Sequence, residues 1–109
     1  MPVHEISAAE AKTWLASGEP PRLIDVREPE EWEICRISGA ELLPLSQFGA
    51  LAPGKLTDPA QALLVYCHHG VRSAHVAEYL SRQGFTDVVN LGGGIDAWSR
   101  EVDPAVPRY

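Results

Sequence analysis

The sequence contains little cysteine, little positive charge and no long hydrophobic run. Its two cysteines form no pattern typical of a disulfide-stabilised domain, so we expect a reducing compartment and a cytoplasmic protein. Nine Lys and Arg against fifteen Asp and Glu give a net charge of -6, which argues against a nucleic-acid-binding surface. No apolar run approaches the roughly 18 residues of a membrane span. Residues 1–5 lack the basic and apolar regions of a signal peptide, so we expect neither leader nor membrane association.

The residues that are present suffice for one hydrophobic core. Hydrophobic residues make up 45% of the 109 positions and charged residues 22%, and no internal repeat divides the chain. We therefore expect a single domain over residues 1–109, with its core at about 5–100. The remaining segment, 101–109, contains Pro104 and Pro107 and is expected to be a loosely ordered tail.

The chain is organised around a predicted strand, loop and helix between residues 63 and 83. Four consecutive apolar residues, 63–66, predict a buried strand. Apolar residues at helical spacing after Ser73 predict a helix, with Ser73 as its N-cap and Gly84 at its end. The loop between them runs from Cys67 to Ser73 and reads Cys-His-His-Gly-Val-Arg-Ser.

This loop contains the residue types that activate a thiol. The thiolate is the nucleophilic form of cysteine, and a free thiol has a pKa of about 8.5. A helix N-terminus, the loop N–H groups and the guanidinium of Arg72 would each favour the anion at Cys67. Gly70 can adopt the positive φ that directs successive N–H groups to one point. In the alternative interpretation, Cys67 is only a small buried apolar residue at the end of a strand.

Four separated segments resemble, in their order along the chain, the motifs of the rhodanese-like sulfurtransferases. The segment Cys67-x-x-Gly70-x-Arg72-Ser73 resembles the active-site loop of that family. Residues 23–32 (Leu-Ile-Asp-Val-Arg-Glu-Pro-Glu-Glu-Trp) and 37–40 (Ile-Ser-Gly-Ala) resemble its N-terminal landmarks, and residues 91–98 (Leu-Gly-Gly-Gly-Ile-Asp-Ala-Trp) resemble its C-terminal signature. The alternation of short strands and helices predicts an α/β fold. The resemblance implies the rhodanese-like version, a small and mainly parallel central sheet with helices on both faces.

The resemblance also implies a thiosulfate sulfurtransferase that works without a cofactor or a metal. The Cys67 thiolate would take the outer sulfur of thiosulfate or a similar anionic donor, form a persulfide and pass the sulfur to cyanide or a thiol. Arg72 would fix the loop or face the substrate. The backbone N–H groups of the loop would stabilise the sulfur anion, and they belong to His68, His69, Gly70, Val71, Arg72 and Ser73.

Two other functions use a similar loop. A non-enzymatic persulfide carrier, or a binding module for a sulfur-relay partner protein, needs the same cysteine and loop. Phosphatases that share the fold have one residue more between the cysteine and the arginine, where this chain has four. The shorter loop makes a smaller cradle, suited to a sulfur atom rather than a phosphate group, and so disfavours a phosphatase or arsenate reductase.

The two histidines after the cysteine have two interpretations. Protonated His68 and His69 would attract an anionic donor, and an unperturbed imidazole has a pKa of about 6.5. The affinity for thiosulfate would then rise as the pH falls toward 6. A metal site made by Cys67, His68 and His69 is the alternative, but adjacent ligands lack the usual spacing and a fourth ligand is not evident.

Asp25 and Arg27 close a predicted strand, 22–26, whose end should lie at the same sheet edge as Cys67. They either brace the active loop, or only pair with nearby residues or cap the helix that begins at Pro29. Pro29 suits the first position of the next helix. That helix should present a solvated acidic face made of Glu30, Glu31 and Glu33.

Local signals elsewhere complete the prediction. Cys35-Arg36 replaces the Gly-His of the family, which leaves the local turn open and makes Cys35 either inert or a resolving thiol for Cys67. Ser7 and Glu10 predict a capping box. Residues 52–59, with two turn dipeptides, predict a surface loop. The glycines at 92–94 lack the spacing of a phosphate-binding loop and predict a tight turn near the active loop.

Overall fold

Residues 4–109 are described by a computed structural model, in which every pair of neighbouring strands is parallel. The sheet has the order β1-β5-β4-β2-β3, with strands His4–Ile6 (β1), Arg22–Asp25 (β2), Glu41–Leu42 (β3), Leu63–Tyr66 (β4) and Val88–Leu91 (β5). The helices are Ala8–Leu15 (α1), Pro29–Ile34 (α2), Phe48–Lys55 (α3), Val71–Arg82 (α4) and Gly94–Glu101 (α5), with a 3₁₀ turn at Leu45–Gln47. The prediction of an α/β fold with a parallel sheet is confirmed.

Helices cover both faces of the sheet because the central strands are apolar on both sides. In β4, Leu63 and Val65 pack with α3 and α4 on one face, while Leu64 and Tyr66 pack with α1 and α5 on the other. All four residues are buried. The described helices are each too short or too polar to cross a membrane.

Most helix termini follow the local signals. The capping box of α1 is present, since the N–H of Glu10 donates to Ser7 Oγ and the N–H of Ser7 donates to Glu10 Oε1, both at 3.1 Å. Pro29 is the first residue of α2, and Gly84 follows the end of α4 with φ of 100°. The N-cap of α4 differs from the prediction, because Gly70 caps the helix and Ser73 is its third residue.

One further prediction about local structure is wrong, and one question that the sequence left open is answered. Residues 52–55 belong to α3 rather than to a surface loop, because Phe48 and Ala52 are buried in the core and hold the helix despite Pro53. The missing glycine at Cys35 has no consequence for the turn. Cys35 has φ of -167°, an extended conformation that any residue adopts.

The segment after α5 packs back against the domain, whereas we expected a loose tail. Ser99 Oγ donates to the carbonyl oxygen of Val106 at 2.5 Å, and the Nε of Arg108 donates to Asp96 Oδ1 at 2.9 Å. The side chains of Val102 and Val106 lie against the apolar core under α1 and α5. These contacts direct the last described residues toward the edge of the sheet where the strands end.

Candidate active site

Three strand ends meet at one edge of the sheet. The register places Asp25 of β2 beside Tyr66 of β4, and Val65 of β4 beside Asn90 of β5. Because parallel strands end on the same side, the residues that follow them collect there. Cys67 and Arg27 therefore lie at the same edge, as the sequence predicted.

The sulfur of Cys67 lies under the loop that begins α4. Cys67 is buried, and its Sγ accepts hydrogen bonds from the backbone N–H of Gly70 at 3.1 Å and of Ser73 at 3.4 Å. Gly70 has φ of 100°, the left-handed conformation that turns its N–H toward the sulfur. Among the described residues, these two N–H groups of the loop reach the sulfur, so the predicted cradle uses fewer donors than expected. The side chain of Val71 points to solvent.

The glycine turn at 92–94, before α5, packs against the start of the active loop at Cys67 and His68. The N–H groups of Ile95 and Asp96 donate to the carbonyl oxygens of Cys67 and His68 at 2.9 and 3.1 Å. A Cβ on Gly94 would lie 2.5 and 2.4 Å from those same oxygens, and Gly94 has φ of 60°. The turn therefore requires glycine where it touches the loop, which confirms a tight turn close to the active loop.

Arg72 is held by a carboxylate that the sequence placed in solvent. Its Nη1 and Nη2 donate to Glu31 Oε1 and Oε2 at 2.7 and 2.9 Å. These bonds lower the pKa of Glu31 to about 2 and raise the pKa of Arg72. The predicted solvated face of α2 is thus wrong at Glu31, while Glu30 and Glu33 are exposed. Arg72 fixes the loop to α2.

Asp25 and Arg27 form a fully buried ion pair. Arg27 Nη2 lies 2.7 Å from Asp25 Oδ2, and both side chains have 0% exposure. Burial by itself would lower the pKa of Arg27, but the hydrogen bonds and charges of Asp25 and Tyr109 together outweigh it and the pKa is raised. Among the described residues, neither side chain is hydrogen-bonded to residues 67–73. The two residues pair with each other and reach the loop only indirectly.

Tyr109 supplies that indirect connection, and nothing in the local sequence pattern indicated it. Its hydroxyl accepts a hydrogen bond from Arg27 Nη1 at 2.8 Å and donates to Glu31 Oε2 at 2.7 Å. Burial is the main cause that raises the pKa of Tyr109 to about 12. A single phenol therefore links the buried ion pair to the carboxylate that holds Arg72.

His68 is stacked between two rings. The centroid of its imidazole lies 3.9 Å from that of Tyr109, with the planes 6° apart, and 3.9 Å from that of His69. Burial, followed by the neighbouring His69, lowers the pKa of His68. His68 therefore carries less charge at pH 6 than an exposed histidine would, which weakens the predicted attraction of an anionic donor by this residue.

The histidines neighbour a carboxylate rather than forming a cluster with the cysteine. One ligand atom each of His68, His69 and Asp96 lies within 4.8 Å of the others. Both oxygens of Asp96 already accept hydrogen bonds, from Arg100 Nε at 3.0 Å and Arg108 Nε at 2.9 Å, and these bonds lower the pKa of Asp96. Two guanidinium groups on this carboxylate oppose the approach of a cation.

Cys35 and Cys67 belong to cores on opposite faces of the sheet. Cys67 packs with the residues under α3 and α4, and Cys35 packs with those under α1 and α5. The nearest polar contact of the Cys35 sulfur is Arg27 Nη1, at 4.0 Å. This placement favours the inert role for Cys35 over the resolving one.

Asn90 is a second site residue that sequence reasoning missed. It is 2% exposed, and its Nδ2 donates to the carbonyl oxygen of Gly70 at 3.1 Å. Its Oδ1 lies 2.5 Å from Ser73 Oγ, so the side chain touches both ends of the loop turn. The available signal was a polar residue within an otherwise apolar buried strand, β5.

Comparison with known proteins places the chain in a family. The model of the Rhodanese-like domain matches residues 7–101, which include β2, the loop, α4 and the glycine turn. This chain is a member of the rhodanese-like family. The resemblance seen in its four segments is confirmed, and the fold is the rhodanese-like version of a parallel α/β sheet.

Individual rhodanese-like relatives differ in length. The chain is 42% identical over 105 residues to "Probable adenylyltransferase/sulfurtransferase MoeZ" of Mycobacterium tuberculosis, covering 95% of this chain and 26% of that protein. It is 33% identical over 94 residues to "Thiosulfate sulfurtransferase GlpE" of Pseudoalteromonas translucida, covering 86% and 88%. The crystal structure of a rhodanese-like domain protein from Staphylococcus aureus superimposes with a TM-score of 0.79 at 32% identity, covering 98% and 99%. The chain thus spans about a quarter of the first relative and most of the other two.

Proposed function

We propose that this rhodanese-like chain is a sulfurtransferase that carries a sulfane sulfur on Cys67. The observation that supports this most is the position of the Cys67 sulfur, which lies at the start of a helix and accepts hydrogen bonds from Gly70 and Ser73 N–H groups. Such donors favour a sulfur anion in both the thiolate and the persulfide. The relatives named as sulfurtransferases support the same activity.

The first half-reaction loads the cysteine. The Cys67 thiolate attacks the outer sulfur of thiosulfate, a new S–S bond forms, and the S–S bond of thiosulfate breaks with both electrons leaving on sulfite. The terminal sulfur of the persulfide then occupies the space beside the loop. The N–H groups of Gly70 and Ser73 stabilise the charge of the Cys67 thiolate before the attack, and after it the negative charge lies on the terminal sulfur, with no proton transferred.

The second half-reaction returns the thiolate. Cyanide or a thiol attacks the terminal sulfur, takes it as thiocyanate or as a new persulfide, and leaves both electrons of the broken S–S bond on Cys67. No cofactor is consumed in either half. Because Cys67 must be reduced at the start of each cycle, we propose a reducing compartment, the cytoplasm.

The donor and the acceptor are proposed on different grounds. A relative named thiosulfate sulfurtransferase supports thiosulfate as donor. The relative named adenylyltransferase/sulfurtransferase is a longer protein whose name gives a second activity beside sulfur transfer. It supports a sulfur-relay protein as the cellular acceptor. If such a protein is the sole acceptor, the chain is a persulfide carrier and turns over slowly with cyanide.

The test is production of thiocyanate from thiosulfate and cyanide by the purified protein. We expect turnover by the wild type and by Cys35→Ser, and none by Cys67→Ser. The Cys35 variant is a matched control because it removes the other thiol of the chain. Equal turnover in Cys67→Ser would overturn the proposed function.

A further inference from the structure

The hydroxyl of Ser73 lies between two groups that both compete for its hydrogen. Ser73 Oγ is 2.5 Å from Asn90 Oδ1 and 3.4 Å from Cys67 Sγ, and all three residues are almost completely buried. A serine hydroxyl has one proton to donate. Only one of the two contacts can therefore be a bond that Ser73 donates.

The amide of Asn90 decides which contact receives the proton. On its other side it lies 3.1 Å from the carbonyl oxygen of Gly70 and 3.2 Å from Glu5 Oε1. Both of those atoms are acceptors, so the NH₂ group of Asn90 must face them and the amide oxygen must face Ser73. The short contact of 2.5 Å is then a hydrogen bond from Ser73 to Asn90.

We propose that Asn90 is a positioning residue that takes the proton of Ser73, so that Ser73 Oγ presents a lone pair to the sulfur of Cys67. The inference rests on the proposed role of Cys67 as the sulfur carrier. The Cys67 thiol donates its S–H to Ser73 Oγ in this arrangement. The thiolate depends instead on the N–H groups of Gly70 and Ser73.

Rotation of the hydroxyl toward the thiolate carries a cost. It would leave Asn90 Oδ1 without a donor in a site that is 2% exposed, and an unpaired buried acceptor is unfavourable. Asn90 thus stabilises the protonated cysteine relative to the thiolate. It also holds the Gly70 carbonyl, so one amide fixes the loop turn and the direction of the serine hydroxyl.

Several charged groups surround this network, and none of them is substituted in the variants used below. Glu5 of β1 contacts Asn90, and His75 of α4 lines the same small cavity with Gly70 and Asn90. Arg72 of α4 lies near Cys67 with its charge paired to Glu31 of α2. His68 and His69 follow Cys67 in the loop.

The test is the pH profile of iodoacetamide alkylation at Cys67, a reaction that needs no sulfur donor. Tryptic peptides separate the two thiols, since Cys67 falls in 56–72 and Cys35 in 28–36. We expect Ser73→Ala to move the profile midpoint to lower pH by up to about 0.5 units, because the thiol loses an acceptor. A donor serine would give the opposite sign, and a shift to higher pH in Ser73→Ala would overturn the proposal.

A second variant tests Asn90 directly. Asn90→Val frees the serine proton to bond to the thiolate, so the midpoint should fall by about 1 unit, and Ser73→Ala in that background should raise it again to the midpoint of Ser73→Ala alone. A midpoint that does not fall in folded Asn90→Val contradicts the proposal. Ser81→Ala, an exposed position of the same helix, is the matched control and should leave the profile unchanged. If the midpoints shift as expected but the wild type produces no thiocyanate, the proposed function is rejected and the role of Asn90 stands.

Discussion

Glu31 and Arg72 form a two-pronged ion pair that joins the first turn of α2 to the first turn of α4. The paired distances are 2.7 Å for Oε1 to Nη1 and 2.9 Å for Oε2 to Nη2. Paired contacts of this kind fix the plane of the guanidinium as well as its position. Because the pair neutralises Arg72, this side chain serves mainly to hold the loop. The N–H groups of Gly70 and Ser73, in contrast, contact the Cys67 sulfur directly.

Glu31→Gln tests whether this pair supports the reaction. The amide keeps the shape of the side chain but loses the charge and one acceptor, so the guanidinium loses its fixed plane. We expect kcat/KM for thiosulfate to fall about tenfold, equivalent to about 1.4 kcal/mol of transition-state stabilisation. Glu33→Gln, on the exposed side of the same helix, is the control. Equal loss in both variants would show that the effect is not specific to the pair.

Tyr109→Phe and Tyr109→Ala separate the two contacts of this side chain. The Phe variant loses the bonds to Arg27 and Glu31 and should reduce the free energy of unfolding by about 1–2 kcal/mol. The Ala variant also exposes His68, and since burial lowers the pKa of His68, that pKa should rise toward its ordinary value. Urea unfolding and NMR titration measure the two effects.

The exposed Tyr79 provides the control for these variants. Tyr79→Phe should change neither the free energy of unfolding nor the titration of His68, because Tyr79 is exposed and the variant keeps the ring that packs edge-on against Phe48. A His68 pKa that is the same in Tyr109→Ala and in wild type would mean that the stacked arrangement does not persist in solution.

Asp25→Ala leaves the guanidinium of Arg27 buried without its carboxylate. Removing one partner of a buried pair costs about 3–5 kcal/mol, because the remaining charge stays out of water. We expect a loss of this size in urea unfolding. Asp87→Ala, which removes an exposed carboxylate, should cost less than about 0.5 kcal/mol. Comparable losses in the two variants would contradict the account of the pair.

The pKa shifts of Glu31 and His68 predict that the fold weakens in acid. The pKa of Glu31 falls from 4.5 to about 2 on folding, so its stabilisation is complete above about pH 5 and is lost as the pH falls toward 2. The lowered pKa of His68 acts in the same direction below its ordinary value of 6.5, since the unfolded chain binds the proton more readily. Because Arg72 and Glu31 are partly exposed, the Glu31 contribution is about 1 kcal/mol. Glu31→Gln should flatten the loss between pH 5 and pH 2, and an unchanged slope would contradict this assignment.

The elements that the sequence predicted well are set by neighbouring residues. The apolar run of β4, the capping box of α1 and the glycines at 70 and 94 each express a requirement of the local backbone. These signals were enough to predict the strand, the loop and the tight turn that place Cys67. The predicted N-cap of α4 was wrong because Gly70 and Ser73 both suit the start of a helix. In the structure, Gly70 adopts the left-handed conformation and the helix begins directly after it.

The remaining site residues depend on contacts between distant parts of the chain. Glu31 resembles any exposed acidic residue in the first turn of a helix until α4 brings Arg72 against it. Tyr109 acquires its role only because the segment after α5 folds back over His68. Asn90 is recognisable as a polar residue in a buried strand, but its partners Gly70 and Ser73 lie after a different strand, β4. Local pattern carries no information about such pairings.

The most direct test of the account is intact mass spectrometry after treatment with thiosulfate. We expect the wild type and Cys35→Ser to gain about 32 Da, one sulfur atom on the Cys67 thiolate, and to lose it on addition of cyanide. Cys67→Ser should gain nothing. A wild type that gains no sulfur, or a Cys67→Ser variant that gains it equally, would contradict the claim that Cys67 is the sulfur carrier.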